Sequence, residues 1–200
     1  MTAERRSQAE RRATSRAAVL DSACRLFGRK GYAETSLDEI ASAAGLTVRP
    51  IYHYFGSKRG LFEAVNDVME ERIVASLQSA DDDELSAWYR YLTLCEDPEF
   101  RRVVLIDAPN VLGRERWATS PVTRAVAARV SGGTSDAVAP GAGPRDLAAR
   151  MFIGALAEAA LAIAESPDPT GASRDAEALV SSLVEALTSG PSRTSKETAR

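Results

Sequence analysis

Histidine occurs once and cysteine twice in the 200 residues of this chain, and those shortages exclude most of the chemistry a protein of this size can carry. His53 alone cannot supply a Cys/His zinc site or the paired Glu-x-x-His motifs of a helical di-iron bundle. As the base of a nucleophilic triad it would need a nucleophile elbow, and no such pattern surrounds it. No metal or cofactor is expected, and the chain does not read as an enzyme. Cys24 and Cys95 lie far apart on helical patterns, which suits two buried thiols better than a disulfide. No apolar run approaches about 18 residues, so no membrane-spanning helix is expected. The N-terminal MTAERRSQAERRATSR is basic but leads into no apolar segment with a small-residue cleavage site, and the expected location is the cytoplasm. Convincing period-two alternation is missing too, as is any internal repeat. The expected fold class is all-α.

What is present is ordinary in bulk and uneven in distribution. Hydrophobic residues make up 44% of the chain and charged residues 26%, enough apolar material for a sizeable core. The net charge of −3 conceals two opposite parts. Residues 1–60 hold 11 Lys/Arg against 6 Asp/Glu, whereas residues 61–200 hold 14 against 22. A basic N-terminal third on an acidic body places a nucleic-acid footprint at one end.

The stretch 37–61 organises the rest. Leu37, Ile40, Ala41 and Ala44 recur at helical spacing, Gly45 breaks the run, and Thr47 is placed to cap a second short helix carrying Ile51, Tyr52 and Phe55. Two short helices around a glycine-containing turn form a helix-turn-helix, whose second helix enters the DNA major groove. Ahead of it, Ala17, Leu20, Cys24 and Phe27 stripe a helix from Arg11 to Arg29 that Lys30-Gly31 ends. Ser36 and Glu39 have capping-box spacing. Behind it, Ser57 caps a long helix with Leu61, Phe62, Val65, Met69, Ile73 and Leu77 on one face. A polar break at 80–84 precedes a helix through Cys95. Pro98 opens another through Ile106, and Asp107-Ala108-Pro109 is expected to interrupt it. Further helices are expected over 121–130 and 145–165, separated by the Gly/Ala/Pro/Ser-rich loop 131–144. After a turn at 167–171, Ser173 is expected to cap a last helix that Gly190-Pro191 stops. The tails 1–10 and 191–200 read as disordered, the first as a basic arm.

Phe27, Gly31-Tyr32, Thr35-Ser36, Ile40-Ala41, Ala44-Gly45-Leu46-Thr47, Ile51-Tyr52, Tyr54-Phe55 and Ser57-Lys58, in this order and spacing, resemble the TetR family of bacterial transcriptional repressors. The likeness covers roughly residues 12–62. It implies an N-terminal three-helix DNA-binding domain over 11–60 and a C-terminal helical ligand-binding and dimerisation domain over 61–190. It also implies a homodimer joined by its last two helices, a double-stranded operator with an inverted repeat, and release by a small, largely apolar effector. A helical enzyme and a sequence-indifferent architectural protein are the rival classes. One histidine without a motif cluster argues against the first, and the acidic body against the second.

On the recognition helix, Ile51 and Phe55 are expected to pack inward, leaving Thr47, Val48, Arg49, Pro50, Tyr52, His53 and Tyr54 for DNA. Arg49 is the best base reader, because its fork matches guanine O6 and N7. Val48 or Pro50 suits a thymine methyl, while Tyr52 and His53 suit phosphate. Thr35, Ser36 and Thr47 can cap helices and donate to phosphate alike, and Lys58 stands where a helix N-terminus also attracts phosphate. For pairing, the expected surface joins Phe152, Leu156, Ala159, Ala160 and Ile163 to Leu179, Val180, Leu183, Val184 and Leu187. For the effector, a mostly apolar pocket is expected from Trp88, Leu92, Phe100, Val104, Trp117, Met151 and Phe152, with Asp107 or Glu158 orienting a cationic ligand.

Overall fold

Every regular element among the described residues is helical. The computed structural model describes residues 8–77, 84–113, 116, 119–130 and 144–188. The expectations for residues 1–7, for the break near 80, for the loop 131–143, for Trp117 and for the C-terminal tail lie outside them. So do the side chains of Leu77, Leu85, Trp88, Val184 and Leu187.

The N-terminal helix α1 (Gln8–Glu34) begins before the expected Arg11 and bends at Gly31, whose φ of 82° only glycine adopts without strain. Thr35, 1% exposed, donates its hydroxyl to the carbonyls of Gly31 and Leu26 and so seals that bend. Next come α2 (Leu37–Ala43) and α3 (Val48–Phe55). Between them the chain makes a Schellman turn: Leu46 N–H donates to Ala41 O at 2.9 Å and Gly45 N–H to Ser42 O at 3.1 Å. Gly45, at φ 67°, takes the left-handed position such a turn requires. The long α4 (Lys58–Leu77) follows, with its first turn capped by Ser57, whose Oγ accepts from Gly60 N–H.

α1 to α4 enclose the core of the N-terminal head. Val19, Phe27, Ile40, Ile51, Leu61, Phe62 and Val65 are all at 0% exposure. Three rings meet there: Phe62 lies edge-on to Phe27 at 5.2 Å and to Tyr32 at 5.1 Å. Farther along α4, Met69 and Ile73 continue the buried stripe into the body. This one helix therefore belongs to both parts.

The body contains α5 (Glu84–Glu96), then a continuous helical run made of α6 (Pro98–Phe100), a π-helical segment (Arg101–Asp107) and α7 (Ala108–Val111). Asp97 caps α6 by accepting from Glu99 N–H, with Pro98 in the first turn as expected. The expected break at 107–109 does not occur: the helix passes through Pro109 by widening ahead of it. Within α5, Ala87, Tyr91 and Cys95 face the core, while Tyr89 stands 47% exposed and donates its hydroxyl to Glu177. Last come α8 (Pro121–Val130), α9 (Pro144–Glu165) and α10 (Pro169–Thr188), with α9 packed between its two neighbours. α10 starts ahead of the expected Ser173 because Asp168 Oδ1 accepts from Gly171 N–H and Pro169, needing no donor partner, fits the first turn.

Candidate nucleic-acid interface

The head presents α3 with one polar face outward. Ile51 anchors it at 0% exposure, and Phe55 is half-buried beneath the Arg16 guanidinium, 5.1 Å from its ring centroid. Arg49, Tyr52 and His53 are exposed, Tyr52 at 55%, and their i, i+3, i+4 spacing puts them side by side. His53 tilts against Tyr54 at 5.3 Å, and Tyr54 is half-buried against Phe55. Val48 is half-buried and leans on the core, and Pro50 is half-buried beside it. Thr47 occupies the N-cap with extended backbone, yet its side chain makes no capping bond, contrary to expectation. Its hydroxyl is exposed at the start of α3, where free N–H groups point outward.

Ser36 forms both halves of the capping box: its Oγ accepts from Glu39 N–H, and Glu39 Oε2 accepts from Ser36 N–H. Lys30 bonds to the same carboxylate and, with the Ser36 bonds, holds the Glu39 carboxyl down to about 2. Thr35 has no outward surface and is withdrawn from the DNA-contacting set; burial makes it a cap alone. Lys58 Nζ sits 4.5 Å above the Tyr32 ring and donates to Ala33 O at 3.3 Å. Its charge thus lies at the junction of α1 and α4. Arg16, which joins the face through Phe55, escapes sequence reasoning because nothing in linear spacing links α1 to α3.

The body holds its charges differently. Arg116, 19% exposed, pairs with Glu63, Asp67 and Glu70 of α4. Asn66, 2% exposed, donates to Glu70 Oε1, while its own Oδ1 has no hydrogen-bond partner among the described residues. Burial pushes the Glu70 carboxyl above its ordinary value, against the pull of Asn66 and Arg116. The folded state therefore holds this proton more tightly than the unfolded chain. The group's contribution to stability is greatest at low pH and declines as pH rises from the ordinary carboxyl value through the raised one. Glu70→Gln is accordingly expected to melt at or above the wild-type temperature at pH 7, with the difference vanishing below about pH 4. A lower melting temperature at pH 7 would show that the Arg116 pairing outweighs burial.

Beside this cluster a cleft of about 370 Å³ opens between α4 and α8, lined by Asp67, Glu71, Arg116, Thr119, Pro121 and Arg124. Of the residues expected around an apolar pocket, Trp117 and the side chain of Trp88 lie outside the described residues. Phe100 and Val104 are buried in the core, with Arg72 stacked over the Phe100 ring, and Leu92 and Phe152 are half-buried. Met151 faces outward at 67% exposure and Glu158 is exposed. Asp107 is bonded to the head. The expected pairing surface divides too. Ala160 and Val180 are buried within the protomer and Phe152, Leu156, Ala159 and Ile163 are half-buried, because α9 and α10 pack on each other. Leu179 and Leu183 face out at 67% and 40%, joined by Met151 and by Leu147 at 56%.

A helix-turn-helix with an exposed cationic and aromatic face, on a head that shares a helix with a helical body, defines a DNA-binding transcriptional regulator. Residues 19–65 match the family described as "Bacterial regulatory proteins, tetR family", and residues 84–187 match "Tetracyclin repressor-like, C-terminal domain". The structure of a TetR-family transcriptional regulator from Pectobacterium atrosepticum is similar over 91% of this chain and 97% of that one, at 33% identity and a TM-score of 0.61. NalD of Pseudomonas aeruginosa shares the fold at 23% identity and a TM-score of 0.56, over 86% and 96% of the two chains. Among curated proteins, the HTH-type transcriptional regulator AcrR of Shigella flexneri is 46% identical over 55 residues, 28% of this chain and 26% of its own length. The chain thus spans about a quarter of that relative's length. The chain belongs to the TetR family of transcriptional regulators, whose members are not enzymes. Among the described residues no helix is long and apolar enough to cross a membrane.

Proposed function

We propose that the chain is a homodimeric repressor that binds an inverted-repeat operator and leaves it when a small molecule enters the body. One observation carries the DNA half of this reading: Arg49, Tyr52 and His53 stand together on the exposed face of a helix anchored by Ile51. Arg49 reads guanine through two parallel hydrogen bonds, and Thr47, Tyr52, His53 and Lys58 hold the phosphates on either side. NalD, described as the secondary repressor of a multidrug efflux pump, supports repression as the mode of action. A single recognition helix reads few base pairs, so a second copy supplies the other half-site. The outward apolar residues of α9 and α10 are the surface for that pairing.

Among the described residues, the cleft between α4 and α8 is lined by charged and polar side chains and suits a polar effector. A molecule carrying both a cationic and an anionic group would find complementary partners in Asp67 and Glu71 on one wall and Arg124 on the other.

Selection from random duplexes tests the reading: the purified chain is expected to retain one inverted repeat, and uniform retention would refute it. On that repeat, Arg49→Ala is expected to relax preference at one base pair of each half-site by about 1–3 kcal/mol. Competition binding against repeats altered at each position measures this, and unchanged affinity and preference would remove Arg49 from the interface.

A further inference from the structure

The π-helical segment meets the end of α1, and two of the three observations there concern one carboxylate. Tyr32 N–H donates to Asp107 Oδ2 at 2.7 Å, joining residues 75 apart in the chain. Arg102 Nε lies 3.5 Å from the same oxygen and is buried with no hydrogen bond among the described residues. The Arg102 guanidinium fills the space beside Gly31, where any Cβ would collide with it. The bend that ends α1 is therefore seated on the body by a close fit of backbone to guanidinium and by one charge-assisted hydrogen bond.

The π register has a local cause. In an unbroken α-helix the Pro109 ring would strike the carbonyl of Leu105, and proline has no N–H to offer. Widening the helix ahead of it relieves the clash: Ala108 N–H reaches back five residues to Val103 O, and Asn110 Nδ2 donates to Ile106 O at 2.8 Å. Such segments are rare and concentrate at functional sites. A return to α register would rotate Asp107 by roughly 100° about the axis relative to the start of the run, away from Tyr32. The register and the bond to the head thus stand or fall together.

We propose that Asp107 is a positioning residue for operator recognition: its bond to Tyr32 N–H, kept in place by the π register, sets the angle of the head on the body and so the half-site spacing the dimer accepts. Its side chain is 14% exposed and turned to α1, remote in role from the face that carries Arg49. The inference rests on the two-fold operator reading above.

The test uses the full chain and the inverted repeat it selects from random duplexes, resynthesised with spacers changed one base pair at a time. The wild-type chain is expected to prefer one spacing. Asp107→Ala is expected to shift or flatten that preference, losing about tenfold in affinity at the wild-type spacing while an isolated half-site is bound as before. In the free protein, the Tyr32 amide is expected to exchange with solvent at least about tenfold faster. Asp107→Asn, which keeps an acceptor oxygen, should fall between the two. Pro109→Ala, which leaves Asp107 but frees the helix to take α register, should behave like Asp107→Ala. An unchanged spacing preference with the Tyr32 amide released overturns the proposal. So does a loss equal at every spacing and on the half-site, the mark of a head that is merely destabilised. A wild-type chain that selects no repeat defeats the operator reading first, before any variant is made, and the proposal with it.

Discussion

Replacing Met151 and Leu179 together with glutamate is expected to leave a folded monomer that no longer holds an inverted repeat. Both side chains are 67% exposed in the single chain, so charges placed there meet water and disturb no packing within the protomer. In a dimer joined through α9 and α10 the same carboxylates are removed from water without partners, at several kcal/mol for each. The apolar contacts they replace contribute about 1.5–3 kcal/mol apiece when fully buried. Doubled by symmetry, the change exceeds what an ordinary dimer can absorb. Loss of the dimer removes the effective concentration of the second head, so operator affinity should fall by at least about 100-fold. Sedimentation and a gel-shift titration read the two effects separately. A dimer that survives the substitutions would place the pairing surface elsewhere.

Phe62→Ala is expected to cost about 3–5 kcal/mol, the upper range for deletion of a buried side chain. The ring is at 0% exposure, makes edge contacts with Phe27 and Tyr32, and sits where α4 passes from head to body. With about 5–15 kcal/mol as the usual total stability of a domain, one such cavity removes a large share. The loss reaches DNA through Tyr32, whose amide is the donor to Asp107 and whose ring supports Lys58. Thermal denaturation should show a lowered midpoint or a separate early transition of the head, with binding lost as that transition is crossed. A change below about 1 kcal/mol would mean that the site collapses around the smaller residue far more readily than cores usually do.

Local signals were the legible ones. The capping box of Ser36 and Glu39, the turn glycine at 45, the anchor at Ile51 and the apolar stripe of α4 are each decided within one or two helical turns, and each is found where the sequence indicates. The surprises share a different origin. Asp107 looked like an orienting group for a ligand because its partner, Tyr32 N–H, lies 75 residues away and leaves no periodic trace. Pro109 reads as a helix stop because one proline usually is, whereas the helix widens ahead of it and continues. Thr35 and Thr47 are chemically alike and a dozen residues apart. Burial separates them into an inward cap and an outward hydroxyl, and no propensity distinguishes the two. The apolar residues assigned to a pocket are not separable from plain core in the sequence, because a hydrophobic stripe marks core and cavity alike until the opposing wall is known.

The shared helix bears on how such regulators can be recombined. Leu61, Phe62 and Val65 complete the packing under α1, yet they lie on the same rod as Met69 and Ile73, which belong to the body. A graft joined at residue 60 would hand the new owner a head with its keystone missing. A crossover placed after Val65 transfers that keystone intact but leaves the donor's Tyr32 facing a foreign Asp107 equivalent. Chimeras between relatives should therefore succeed only in matched sets, with the first turns of α4 and the segment Arg101–Asp107 exchanged as one unit.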